Sequence, residues 1–198
     1  VLTRTFRREL GTTPSTVRRR EPDAADAHAV CLCLYHLPIR PRRTPMPTDP
    51  VTVITRDPQP VLFIRRRVRP EELQPALAAC LPAVFRLSQE RGWPLVGPPF
   101  TRYVEMSRGH FTIECGFPVG GGALGEGEIE AGTLPGGEIA MAVHRGPYEA
   151  LGDTHSALEA WAAAAGRTTG APWESYVTDP GELPDPADWR TEVLLPLG

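Results

Sequence analysis

The segment Trp173-Glu-Ser-Tyr176 concentrates side chains with chemistry to offer. In an extended strand alternate residues share a face, so Glu174 and Tyr176 point one way and Trp173 and Ser175 the other. An earlier segment, Phe100-Thr-Arg-Tyr103, sets Thr101 and Tyr103 at the matching positions. One face then gathers two tyrosines and one carboxylate. Such a set suits an organic cation, because the carboxylate neutralises its charge while the rings hold its apolar body. The alternative is a solvated Glu174 beside tyrosines that pack ordinarily. Trp173 and Phe100 are further candidate walls, although alternation would turn them toward covering helices. Tyr148 follows Gly146-Pro147 at a strand-to-helix junction, where Pro147 and Glu149 suit a helix start.

Other chemistries find no support. The chain has no Lys, so a Gly-x-x-x-x-Gly-Lys phosphate loop is absent. Neither Gly-x-Ser-x-Gly nor His-Glu-x-x-His occurs. Gly120-Gly-Gly122 reads as a flexible loop, since a dinucleotide fingerprint needs a strand before it and a helix after it. His144 ends a strand with no partner at metal-ligand spacing and reads as structural. His28, Cys31, Cys33 and His36 fall within nine residues but match no zinc spacing, and a short apolar segment is the better reading. No metal and no cofactor are expected.

The elements that must position these residues follow from period and punctuation. Residues 51–55 and 61–67 are β-rich runs around the turn Asp57-Pro-Gln-Pro60, and they read as a strand pair. Residues 71–92 read as a helix with Leu73, Leu77, Leu81, Val84 and Leu87 on one face, kinked or broken at Pro82. Strands over 100–106 and 111–119 complete the unit. The order then repeats: another strand pair over 128–133 and 138–145 around the turn Pro135-Gly-Gly137, a helix over 147–166 with Leu151, His155, Leu158 and Ala162 on one face, and strands over 173–178 and 190–197. Residues repeat as well as order. Gly97-Pro-Pro-Phe-Thr-Arg-Tyr-Val104 answers Gly170-Ala-Pro-Trp-Glu-Ser-Tyr-Val177, and Glu114-Cys-Gly-Phe-Pro-Val119 answers Glu192-Val-Leu-Leu-Pro-Leu197. The fold class is therefore α+β, a tandem duplication of a β-β-α-β-β unit with repeats at about 51–119 and 128–198. The cleft between the halves is the natural ligand site, and loops 120–127 and 179–189 would set its size.

Composition sets the outer limits. A chain of 198 residues with 41% hydrophobic content and mean hydropathy −0.23 suits a folded domain with an appendage. No apolar run nears the roughly 18 residues of a membrane span, no signal peptide is visible, and the four cysteines are irregularly spaced, so a cytoplasmic protein is expected. All 21 basic residues are Arg, and Asn is absent with Lys, as in a GC-rich bacterial genome. Residues 1–69 hold 14 Arg against 6 acids and residues 70–198 hold 7 against 18, so a basic head precedes an acidic body.

In that head, Leu2, Phe6 and Leu10 repeat every four residues, Gly11 suits a helix end, and Thr13-Pro-Ser15 suits the next start. The phrase Phe6-Arg-Arg-Glu-Leu-Gly11 followed by Thr13-Pro-Ser-Thr-Val-Arg-Arg19 resembles the last helix-turn-helix segment of AraC/XylS-type regulators. On that resemblance residues 1–20 are a helix-turn-helix remnant, as from a late-called start or a truncated regulator. Residues 21–50 form a Pro/Arg-rich linker, and 51–198 form the domain. DNA is then a partner only through a motif mostly missing here. Residues 1–50 are expected to give no specific DNA binding, and their deletion to leave ligand affinity and melting temperature nearly unchanged.

Residues 51–198 resemble the GyrI-like small-molecule-binding domain, also described as a bacterial effector-binding domain. The resemblance rests on Val143-His-Arg-Gly-Pro-Tyr148, Gly170-Ala-Pro-Trp-Glu-Ser-Tyr176, Thr178-Asp-Pro-Gly-Glu182 and Asp188-Trp-Arg-Thr-Glu192. It implies an eight-stranded antiparallel, saddle-like (SOUL-like) sheet with two helices. It also implies a pocket carboxylate at Glu174 with Tyr148 at the pocket edge. The expected function is binding of an amphipathic, cationic or aromatic small molecule by Glu174, Tyr176, Tyr148, Tyr103, Trp173 and Phe100. The module would belong to an AraC-type regulator or be a free-standing multidrug-binding protein. A second expectation from the same resemblance is hydrolysis of strained-ring DNA-alkylating natural products, with Tyr148 and Glu174 catalytic. A third is inhibition of a topoisomerase-like protein partner.

Overall fold

A computed structural model describes residues 50–107 and 109–198. The expected head, linker and His28–His36 cluster lie outside the described residues.

Eight strands and two helices appear in the order the sequence implies. The strands are β1 (Thr52–Arg56), β2 (Gln59–Val68), β3 (Phe100–Ser107), β4 (His110–Pro118), β5 (Ile129–Leu134), β6 (Gly137–Arg145), β7 (Trp173–Tyr176) and β8 (Arg190–Pro196). The helices are α1 (Leu73–Arg91) and α2 (Leu151–Ala164). All strands join one curled antiparallel sheet in the order β1-β6-β8-β7-β3-β4-β2-β5. Read outward from its centre, the list runs β7-β8-β6-β1 one way and β3-β4-β2-β5 the other. The two repeats thus sit about a pseudo-twofold axis between β3 and β7.

Two pairings differ from the sequence reading, that of β1 with β2 and that of β5 with β6. β1 and β2 are not partners: β1 pairs with β6, from Thr52 opposite Met141 to Arg56 opposite Gly137. β5 in turn pairs with β2, from Gln59 opposite Leu134 to Ile64 opposite Ile129. Each repeat therefore gives its first strand to the other half. The connector Asp57-Pro58 has a hairpin's length, but Pro58 cannot take the positive φ of a type I′ turn, and the chain continues into the opposite edge instead of folding β1 back onto β2.

Both helices pack on one face of the sheet. α1 buries Leu73, Leu77, Leu81, Val84 and Leu87, the expected stripe, against β2 and β4. It runs unbroken through Pro82. The missing amide costs one hydrogen bond, while the buried residues on both sides of it hold the turns to the sheet. Gly92, at φ 66°, ends the helix in the left-handed conformation, with Trp93 N–H donating to Ser88 O. A short 3-10 turn, Tyr148–Ala150, precedes α2. The helix-side core joins α1 and α2 to Leu62, Ile64, Ile113, Phe117, Val193 and Leu195. A second cluster of Val61, Phe63, Phe100, Leu134, Ile139, Trp173 and Leu194 contains no helical residue and occupies the other face.

Candidate functional site

β3 and β7 are the sheet's central pair and place Thr101 directly opposite Glu174. Alternation then aims Thr101, Tyr103, Glu174 and Tyr176 at the helix side. Glu174 is fully buried there, as are Tyr103 and Tyr176. Oε2 of Glu174 accepts hydrogen bonds from Tyr176 Oη at 2.9 Å and Tyr103 Oη at 3.3 Å. Oε1 receives Nε2–H of His155 at 2.8 Å, delivered from the inner face of α2. His155 is 2% exposed. Three donors thus converge on one carboxylate deep in the domain, which is how a buried charge is compensated.

Rings close around this point. Tyr103 meets His155 edge-on at 5.8 Å and Phe111 at 5.9 Å. Tyr148, on the 3-10 turn, meets Tyr176 at 6.1 Å and stacks on Trp189 at 4.8 Å. Trp189 is held by its indole N–H on Leu183 O at 2.8 Å, so the loop after β7 closes over Tyr148. Nearby, His144 bonds Pro147 O through Nε2 and Thr154 Oγ1 through Nδ1, both at 3.0 Å. A carbonyl only accepts, so Nε2 carries the proton and Nδ1 accepts. Burial holds the His144 imidazole below its usual pKa, consistent with the structural role its sequence context implies. The hydroxyls of Thr101 and Thr191 are buried without a hydrogen-bond partner among the described residues. Thr191 stands opposite Tyr176 in the β7–β8 ladder.

The six residues singled out from sequence therefore divide. Glu174, Tyr176, Tyr103 and Tyr148 share the helix side. Trp173 and Phe100 lie in the helix-free cluster, opposite to the orientation alternation was expected to give them. They line a separate cavity of about 170 Å³ with Leu134, Pro98 and Ser175. The alternation itself holds; the helices cover the Glu174 face, not theirs. Two residues of the constellation escaped the sequence reading. His155 was visible only as a polar member of an apolar helical stripe, and Trp189 as part of a Pro/Asp/Gly loop. Among the described residues no cluster of three or more His, Cys, Asp or Glu could hold a metal ion, and no helix is long and apolar enough to cross a membrane.

The family model for the GyrI-like small-molecule binding domain matches residues 49–197. The chain belongs to that family. Its fold recurs in the C-terminal domain of EcmrR, at 23% identity and TM-score 0.64, covering 75% of this chain and 97% of that one. EcmrR in a complex with DNA matches at 22% identity and TM-score 0.67, again over 75% of this chain. The chain spans only 57% of the length of that EcmrR chain. SAV2435 bound to tetraphenylphosphonium matches at 9% identity and TM-score 0.54, over 75% of this chain and 94% of that one. At these identities the likeness is one of fold. Curated protein sequences give no match. In this GyrI-like domain that fold carries the buried cluster around Glu174.

Proposed function

We propose that this GyrI-like domain binds amphipathic cationic or aromatic small molecules at Glu174, between the two repeats. It would serve a cytoplasmic transcription regulator, of the AraC type by the resemblance of its head, or act as a free-standing multidrug-binding protein. The observation that carries this reading is the buried carboxylate bonded by tyrosines from both repeats. An anion in a low-dielectric, aromatic surround attracts a desolvated organic cation far more strongly than a surface carboxylate does. The family's small-molecule binding and the tetraphenylphosphonium held by SAV2435 support it. Tyr103, Tyr148 and Tyr176 would supply the walls. Trp173 and Phe100 would shape the sheet from its other face. In a full regulator the ligand would shift the DNA-binding part by its difference in affinity for the two states. Calorimetric titration with tetraphenylphosphonium and cationic dyes tests the site. Glu174→Gln is expected to weaken binding at least tenfold, about 1.4 kcal/mol. Equal affinity of Glu174→Gln and wild type for every compound would overturn the assignment.

A second reading is hydrolysis of a strained-ring electrophile, favoured by the contact between Tyr148 and the Tyr176–Glu174 pair. Glu174 would take a proton from the attacking water, and Tyr148 would give one to the carbon released as the ring opens. Incubation with a cyclopropane-bearing alkylator separates the two readings. Product beyond one equivalent supports turnover, and stoichiometric binding without product removes it.

A further inference from the structure

In this structure the carboxylate proposed to hold a cation already has a group at hand that can carry positive charge. His155 belongs to the buried stripe of α2 with Leu151, Leu158 and Ala162, where packing alone calls for an apolar side chain. Its Nε2–H instead spans to Glu174 Oε1 at 2.8 Å, with both side chains essentially inaccessible to water. The tyrosine hydroxyls on Oε2 are neutral donors and leave the anion's charge in place. Imidazole is the side chain that ordinarily changes charge between about pH 5 and 8.

We propose that protonated His155 is the resident counter-ion of Glu174, and that a cationic ligand binds by replacing that charge, releasing one proton. This rests on the reading that Glu174 receives the cation. The exchange balances: imidazolium paired with carboxylate, plus the cation, gives neutral imidazole, carboxylate paired with the cation, and one proton in solution. An imidazolium and an organic cation on the same buried carboxylate would repel at low dielectric. The neutral imidazole still donates its Nε2–H, so it remains in place as one wall. Titratable groups around His155 and its partner include Glu174 and Tyr176 from β7, Tyr103 from β3 and His144 from β6. Asp153 and Glu159 lie on α2 itself, Glu159 one turn further on. His144, whose pKa burial lowers, is tied to Pro147 O and Thr154 and does not touch the carboxylate in any bond described above. The proposal gives the domain a specificity rule as well: cations bind better as pH rises, while neutral aromatics are indifferent to it.

Calorimetry of the full chain with tetraphenylphosphonium, from about pH 5.5 to 8, tests this. Wild-type affinity is expected to fall by up to about tenfold for each pH unit toward acid. Repeating the titration near the acid end in buffers of different ionisation enthalpy is expected to show close to one proton released. His155→Gln keeps a donor but cannot charge, so its affinity should be flat with pH, with no proton released. Should that variant not fold, the wild-type His155 ring resonance gives the same information. Saturating cation should turn it from the charged to the neutral position at the acid end. A wild-type profile as flat as that of His155→Gln, with no proton release, overturns the exchange. So does a ring resonance that ignores the ligand. Glu174→Gln separates the two levels: if it binds as wild type, the site reading has failed. If it binds weakly while the wild type releases no proton, only the exchange has failed.

Discussion

The hydroxyls of Tyr103 and Tyr176 meet on a single oxygen, Oε2 of Glu174, at 3.3 and 2.9 Å. The two tyrosines hold equivalent positions in the repeats, so the duplication has brought two copies of one side chain to one acceptor. Their deletions should not be equivalent. Tyr176→Phe removes the shorter bond and should cost about 2 kcal/mol, as for a hydrogen bond to a charged group, and Tyr103→Phe, whose bond is long, about 1 kcal/mol. The double variant should cost more than the sum, because the second loss leaves Oε2 with neither tyrosine. Urea unfolding of the three variants measures this, and strict additivity would contradict it.

Thr101 and Thr191 invite the opposite change. Their hydroxyls are buried without a partner among the described residues, and an unmet hydroxyl costs about 1–3 kcal/mol. Valine keeps the branched shape that strands favour and removes the polar atom. Thr101→Val and Thr191→Val should each raise the melting temperature by about 2–4 °C, roughly 1 kcal/mol at this size. Thermal unfolding followed by circular dichroism checks both.

His144 makes stability depend on pH. Its folded pKa lies below the unfolded one because burial disfavours the charged ring. The unfolded chain therefore binds the extra proton first, and the stability contributed is complete above the unfolded value, about 6.5, and lost as pH falls. Between about pH 7.5 and 5, the denaturant midpoint of the wild type should fall relative to that of His144→Gln. A variant with the wild-type slope would place the effect elsewhere.

Two glycines should respond to alanine in opposite directions. Gly116 lies on β4 between β2 and β3, and a Cβ there would overlap Leu62 O and sit 2.7 Å from Phe63 Cα. Backbone cannot yield as a side-chain tip can, so Gly116→Ala should cost about 3 kcal/mol or more. Gly152, in the first turn of α2, has nothing within 4 Å of its added Cβ. Gly152→Ala should gain about 0.5–1 kcal/mol of helix propensity. Equilibrium unfolding of the two variants side by side decides the matter.

Element type and order were legible because period-2 runs and a 3.6-residue stripe report burial on a local scale. The internal repeat was legible from paired phrases such as those ending at Val104 and Val177. Partner choice was not: alternation says which face a strand buries but not which strand lies beside it, so the β1–β6 and β2–β5 exchanges were hidden. Phe100 and Trp173 show the same limit. Alternation separated them from Glu174 correctly, yet which face the helices would cover is a tertiary fact. His155 was missed because a single polar residue in an apolar stripe gives no hint of its partner nineteen residues away.

The exchange of first strands bears on how the chain reaches its native state. Thr52 hydrogen-bonds to Met141 across 89 residues of sequence, so β1 waits for β6 before it is held. During synthesis the emerging half would carry β1 without its neighbour, and β2 with one side open until β5 arrives. Such long-range closure slows folding and leaves bare edges able to pair with another nascent chain. Neither half can serve as a finished folding unit, and the second must be delivered before the first is complete.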